Sequence, residues 1–105
     1  MQIADLSVRR FAADGLQKLN LFQTPRFFAD VYCLEPGQEQ KAHAHEGSDK
    51  VYAVLEGRAL VRVGDEEQTL GPQQAALAPS GSAHGVRNPG PERLVLLVFM
   101  APLPS

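Results

Sequence analysis

Sulfur chemistry is nearly absent from this 105-residue chain: Cys33 is its only cysteine. No disulfide can close within it, and a reducing compartment is expected. Long apolar runs are missing too. The longest, residues 94–101, falls far short of the roughly 20 residues needed to cross a bilayer. The first residues, Met1-Gln2-Ile3-Ala4-Asp5, lack the basic start and apolar stretch of a signal peptide, so the cytoplasm is the expected location. Charge of one sign is scarce. Ten Lys and Arg stand against twelve Asp and Glu, for a net −2, and the basic residues are scattered. That excludes the electrostatic footprint of a nucleic-acid or anionic-membrane binder, and leaves a small molecule or another protein as the expected partner. There is no Ser-His-Asp order, phosphate-cradling glycine loop, Cys-x-x-Cys, internal repeat or interdomain linker. What remains, 44% hydrophobic and 21% charged, is the composition of a folded globular chain. Its length suits one domain over residues 1–105, which buries roughly two-thirds of its unfolded surface.

Turn chemistry is plentiful and regular. Pro25, Pro36-Gly37, Gly57, Gly64-Asp65, Gly71-Pro72, Pro79-Ser80-Gly81 and Asn88-Pro89-Gly90-Pro91 cut the chain into strand-length pieces. Short strands at such spacing predict an all-β sandwich or barrel. In residues 27–34, alternation puts Phe27, Ala29, Val31 and Cys33 on one face and Asp30 on the other. In residues 58–63, Ala59, Val61 and Val63 turn inward, and Arg58, Leu60 and Arg62 outward. Gly57 reads as a tight bend between adjacent strands and Gly64-Asp65 as a hairpin. The acidic residues Asp65, Glu66 and Glu67 are then a solvated tip. Residues 93–100 are apolar on both faces, so both must be covered. A homodimer interface is the favoured cover, with the N-terminal segment folding back as the alternative. Residues 15–22 hint at a helical turn, but Leu16, Leu19 and Leu21 fit neither period, and that piece stays unassigned.

The chemistry sits on the three histidines. His43 and His45 are two apart, so on a strand both imidazoles project from one face, which is half of a transition-metal site. His84 follows the Pro79-Ser80-Gly81 turn and must converge from a separate strand. Gly37, five residues, His43-Ala44-His45, then Val54-Leu55-Glu56-Gly57 resembles the first motif of the cupin superfamily. Pro79-Ser80-Gly81-Ser82-Ala83-His84-Gly85-Val86-Arg87-Asn88 resembles the second. The motifs span about residues 37–57 and 73–88. The resemblance implies a jelly-roll barrel, a double-stranded β-helix, with one divalent metal held inside by the two histidines and a Glu of the first motif and the histidine of the second. By position His43, His45 and His84 are the imidazole ligands.

Two positions depart from that pattern. Gln73 stands where a glycine usually opens the second motif, which implies an altered loop. More consequentially, Lys50 stands at the glutamate position, seven before Gly57. Asp49 is a carboxylate one residue out of register, and a one-residue slip on a strand turns a side chain to the opposite face, so Asp49 completing a four-ligand site is the lesser alternative. Alternation with Tyr52 and Val54 ties Lys50 to the inner face. A three-histidine site with an open position suits zinc, whereas two histidines and a carboxylate, the usual iron set, is not offered. An ammonium about 4 Å from a divalent ion would cost on the order of 8 kcal/mol at an effective dielectric near 20. Lys50 therefore swings onto a carboxylate (Asp49, Glu46 or Glu39), or is neutral, or takes the place of the metal and binds an anionic ligand.

Cys33 reads as a small core residue and Asn88 as a turn residue whose side chain bonds backbone. Tyr52 reads as barrel lining that can offer a hydroxyl. The expected function is a histidine-lined pocket binding a divalent transition metal (zinc, iron, manganese or nickel) and a small polar molecule, with Lys50 or Tyr52 as acid or base. If catalytic, such a site resembles those of cupin dioxygenases, isomerases or decarboxylases. The alternatives are a metal-free module binding an anionic or sugar-like ligand at Lys50, and a structural subunit of a larger complex. The last requires a large exposed apolar patch and a pocket filled by side chains.

Overall fold

In the computed structural model, which describes residues 1–104, nearly every stretch between turns is a strand and no helix forms among the described residues. The strands are β1 (Gln17–Thr24), β2 (Phe27–Leu34), β3 (Glu39–His43), β4 (Asp49–Glu56), β5 (Ala59–Val63), β6 (Glu66–Leu70), β7 (Ala75–Ala78), β8 (His84–Arg87) and β9 (Leu94–Ala101). All pairings are antiparallel. One sheet runs β1-β2-β9-β4-β7 and the other β3-β8-β5-β6. The two enclose a core in which Tyr32, Tyr52 and Leu96 of the large sheet meet Val61, Leu70 and Val86 of the small one. This is the all-β jelly-roll barrel, or double-stranded β-helix, that the strand pattern and motifs implied.

Period-two alternation explains which side chains enter. On β4 Lys50, Tyr52 and Val54 are buried inward, while Val51, Ala53 and Leu55 face out and stay partly covered. On β5 Ala59 and Val61 are buried and Arg62 is exposed, as the pattern predicted. On β2 both faces are covered. Tyr32 and Leu34 join the central core, and Val31 and Cys33 form an outer cluster with Val95. Cys33 is a buried packing residue.

Three details differ from the sequence reading. The segment left unassigned is β1, and its register slips between Asn20 and Phe22. The three leucines divide between the two faces, Leu16 on the central core and Leu19 and Leu21 on the outer cluster, and the extra residue Leu21 breaks the alternation ahead of Phe22. Gly57 does not bend between paired strands: β4 and β5 lie in different sheets. The chain crosses from one sheet to the other there, at φ +80° and so close to Arg93 that a Cβ would run into its carbonyl oxygen. Only glycine fits. Gln73, standing where a glycine was expected, takes a left-handed backbone at φ +71°, with its N–H donating to the Val54 carbonyl at 2.9 Å.

The cover over β9 is divided. Phe11, from the N-terminal segment, packs with Leu55 on the cluster containing Val95, so the fold-back alternative holds at that end. Farther along, the outer face of the large sheet carries two rows of side chains in register. One is Leu19, Val31, Leu97, Ala53 and Ala75; the other is Phe22, Ala29, Phe99, Val51 and Leu77. Both rows are apolar on all five strands, and Phe99 and Leu77 are open to solvent.

Candidate metal centre

His43 ends β3 and His84 opens β8, and the two are partners in the ladder. His45 lies past the strand end, in the connection to β4, so the pair is not carried on one regular strand face as the spacing suggested. The imidazoles still meet. His45 is held by the second motif: its carbonyl accepts from Gly81 N–H at 2.8 Å, while Ser80 Oγ accepts from Gly47 N–H at 2.7 Å. Ring centroids are 4.9 Å apart for His43 and His45, 4.5 Å for His43 and His84, and 5.7 Å for His45 and His84. One nitrogen from each ring can be chosen so that all three lie within 4.8 Å of one another. This is a cluster that could hold a metal ion.

The rings are also set in a suitable tautomer. His43 Nδ1 lies 2.8 Å from the Lys41 carbonyl and His84 Nδ1 3.1 Å from the Ser82 carbonyl. A carbonyl only accepts, so each Nδ1 carries the proton and each Nε2 keeps a free lone pair. Outer partners of this kind fix the orientation of metal-binding histidines. His84 Nε2 is buried without a hydrogen-bond partner among the described residues, an arrangement native proteins rarely leave unexplained. Burial, reinforced by the charge of Lys50 and the neighbouring imidazoles and opposed by the Ser82 bond, holds His84 down to about 4. It is a neutral donor at physiological pH. His45 is lowered as well, first by desolvation and then by His43 and Lys50.

Among the described residues no carboxylate joins the cluster. Asp49 points away from it and accepts from Ser80 N–H at 2.9 Å, so its carboxylate holds the turn. Lys50 is the residue that faces inward, 2% exposed. It reaches none of the three carboxylates considered for it. Nζ donates instead to Gln40 Oε1 at 3.0 Å, an oxygen that also accepts from the Tyr52 hydroxyl at 2.9 Å. The ammonium stands over the rings of Tyr52, at 5.1 Å, and Tyr32, at 5.6 Å. Burial, then repulsion from Lys18, brings Lys50 down to about 8, with Asp30 pulling the other way. Desolvation likewise raises Tyr52, with Tyr32 adding to it, and pushes Tyr32 up to about 12, so both hydroxyls keep their protons.

Gln40 and Tyr32 escaped the sequence reading, and Asp30 was placed on its strand face without a role. Tyr32 shares the β2 face of Asp30 and Leu34, and the alternation that placed Asp30 would have found it. Gln40 could not be found that way. The β3–β8 register slips between Gln40 and His43, so residues three apart serve the same site. Gly85 lies opposite, where a Cβ would stand 2.8 Å from Gln40 O and 2.9 Å from Ala42 N. Its missing side chain lets the bulged strand lie against β8. Asn88 behaves as read, donating to the Leu34 and Glu92 carbonyls and accepting from Gly90 N–H.

Comparison with known proteins places this geometry. The family described as "Cupin domain" matches residues 30–100. A crystal structure of TT1209 from Thermus thermophilus is similar, with 50% identity, a TM-score of 0.96, and coverage of 99% of this chain and 100% of that one. An uncharacterized protein of Streptomyces coelicolor is 31% identical over 103 residues, 96% of this chain and 94% of that protein. The tetracenomycin polyketide synthase protein TcmJ of Streptomyces glaucescens is 36% identical over 75 residues, 69% of this chain but only 50% of its own length.

Proposed function

The chain belongs to the cupin family, and from that premise we propose that its barrel binds one divalent transition metal through His43, His45 and His84. On this reading the whole chain acts as one cytoplasmic cupin domain that takes a small polar molecule at the same site. The observation that carries the reading is the buried, partnerless Nε2 of His84, with His43 and His84 both locked in the tautomer that frees Nε2. Three neutral imidazoles with an open position form a zinc-type donor set, and iron, manganese or nickel are the other candidates. Such an ion, when bound, acts as a Lewis acid on an oxygen of the ligand.

The chain's own residues divide the remaining tasks. The Lys50 ammonium is the anchor for negative charge on that molecule, because it is the buried cation facing the barrel interior. Near pH 8 it can also yield a proton. Tyr52 keeps its proton and donates it to Gln40 Oε1, which also holds Nζ, so the phenolic oxygen is presented to the ligand as a fixed acceptor. Whether this amounts to catalysis or to capture of the ligand is decided by turnover.

One observation favours a second reading, in which Lys50 stands for the ion and the pocket binds an anion without metal. Its ammonium is buried with no carboxylate among its hydrogen-bond partners. Elemental mass spectrometry of untagged protein, purified without chelator, separates the two. The expected result is about one equivalent of a transition metal per chain, lost in His84→Ala. Protein that holds no metal and refuses added zinc, iron, manganese and nickel would overturn the first reading and leave the second.

A further inference from the structure

We infer that the ligand of this barrel is a small dicarboxylate held at two points, with Lys50 taking one carboxylate inside and Lys18 the other at the rim. The inference rests on the reading of Lys50 as the anchor for negative charge and adds a second residue that sets specificity. β1 is the edge of the large sheet and pairs with β2 alone. Two rows of inward side chains run from it across the sheet. One is Lys18, Tyr32, Leu96 and Val54; the other is Asn20, Asp30, Val98 and Tyr52. Tyr32, Asp30 and Tyr52 are buried, whereas Lys18 and Asn20 are exposed. The β1 end of each row is therefore the rim of the interior, and it is polar.

Lys18 leans inward over that rim. Its Nζ stands 5.3 Å from the centroid of the Tyr32 ring, and Lys50 Nζ stands 5.6 Å from the same centroid. The two ammoniums are thus no farther apart than the sum of those distances. Attraction to the ring favours each of them, but their mutual repulsion does not, and Lys18 is one of the charges that bring Lys50 down. No carboxylate neutralises either one. Among the described residues the ion pairs are Arg9 with Glu56 and Arg93 with Glu35, both elsewhere. Asp30 is the one carboxylate in the two rows, and its Oδ1 accepts from Asn20 Nδ2 at 2.8 Å. Two like charges converge on one tyrosine without an anion between them.

That spacing names the chemistry of the ligand. One carboxylate satisfies Lys50 and leaves Lys18 as a separate point of positive charge. Charge-assisted bonds of about 2.8 Å at each end leave at most roughly 5 Å between the outer oxygens of a bridging molecule. A diacid of three or four carbons has that reach. A monoacid meets only one ammonium, and a compact anion such as phosphate is too short to meet both at full separation.

Titration calorimetry of the untagged full chain with succinate, its monomethyl ester and inorganic phosphate tests this. Succinate is expected to bind at least about 10-fold more tightly than the ester, as a hydrogen bond between charged groups allows. Lys18→Met should bring the two within about twofold, and Lys18→Arg should restore the preference. Lys18 is exposed, so circular dichroism of both variants should match the parent. A preference for succinate that survives Lys18→Met overturns the inference, as does phosphate binding as tightly as succinate. An ester that binds as well as succinate, with both lost in Lys50→Met, also overturns it but leaves Lys50 as the anchor. If none of the three probes binds, the inference and the Lys50 anchor fall together, while the metal content measured on the same protein still decides the histidine site.

Discussion

Lys50 is a cost to the empty barrel. Desolvation brings its ammonium from 10.5 down to about 8, a difference on the order of 3 kcal/mol against the charged form. Because the folded value is the lower one, the unfolded chain holds the extra proton between about pH 8 and 10.5. Stability attributable to Lys50 therefore rises with pH through that window, and the whole penalty is present below pH 8. Lys50→Met keeps the length of the stem and removes the charge, and Gln40 Oε1 retains the Tyr52 hydroxyl as a partner. Urea unfolding at pH 7 should show the variant more stable by ~1–3 kcal/mol, with the difference shrinking by pH 10. A variant less stable than the parent at pH 7 would mean that the ammonium is stabilised by something other than Gln40 and the two rings. A residue retained against such a cost is expected to act on a ligand. Its inward direction was legible in the sequence, because Lys50, Tyr52 and Val54 alternate without interruption. Its partner was not, because the side chain that receives it sits on a strand with a bulge.

At the level of strands, the regular elements were readable and the irregular ones were not. β4, β5 and β9 follow from alternation or from continuous apolar character, and the β5–β6 hairpin from Gly64-Asp65. β1 was obscured by one extra residue, and β3 by the slip between Gln40 and His43. In both, the period that identifies a strand breaks inside it. The second slip matters to the site, since it lets Gln40 and His43 serve one interior from positions three apart. The slip depends on Gly85. A methyl group there would stand under 3 Å from Gln40 O and Ala42 N, both backbone atoms, so β3 must move away from β8. Gly85→Ala should cost ~1–3 kcal/mol in urea unfolding, the usual penalty for overpacking. Because His43 and His84 are partners on that same strand pair, metal affinity by titration calorimetry should fall at least 10-fold. A variant that loses stability but binds metal like the parent would show that His43 is placed by the β3–β4 connection and not by the β3–β8 register.

Across the whole molecule the site is asymmetric in its supports. His43 and His84 come from the small sheet and His45 from the loop that leaves it, whereas Lys50 and Tyr52 come from the large sheet. An ion on the three imidazoles would therefore tie together β3, the β3–β4 connection and β8. It would do so only in the folded chain, because the unfolded chain does not bring residues 43, 45 and 84 together. Binding to the native state alone stabilises by about 2.7 kcal/mol at a free metal concentration 100 times Kd. For a domain of this size that corresponds to a rise in Tm of roughly 10–20 °C, at 4–8 °C per kcal/mol. Differential scanning calorimetry with and without the ion should show this rise for the parent, and none for His84→Ala. Leu77→Asp, whose change lies on the far side of the large sheet, should keep the rise even if its baseline Tm is lower. If Leu77→Asp also lost the metal response, the outer face of the large sheet and the histidine cluster would be one coupled system. If the parent showed no rise with any of the four metals, the imidazoles would not be acting as a ligand set, and the free Nε2 of His84 would call for an anionic ligand's proton instead.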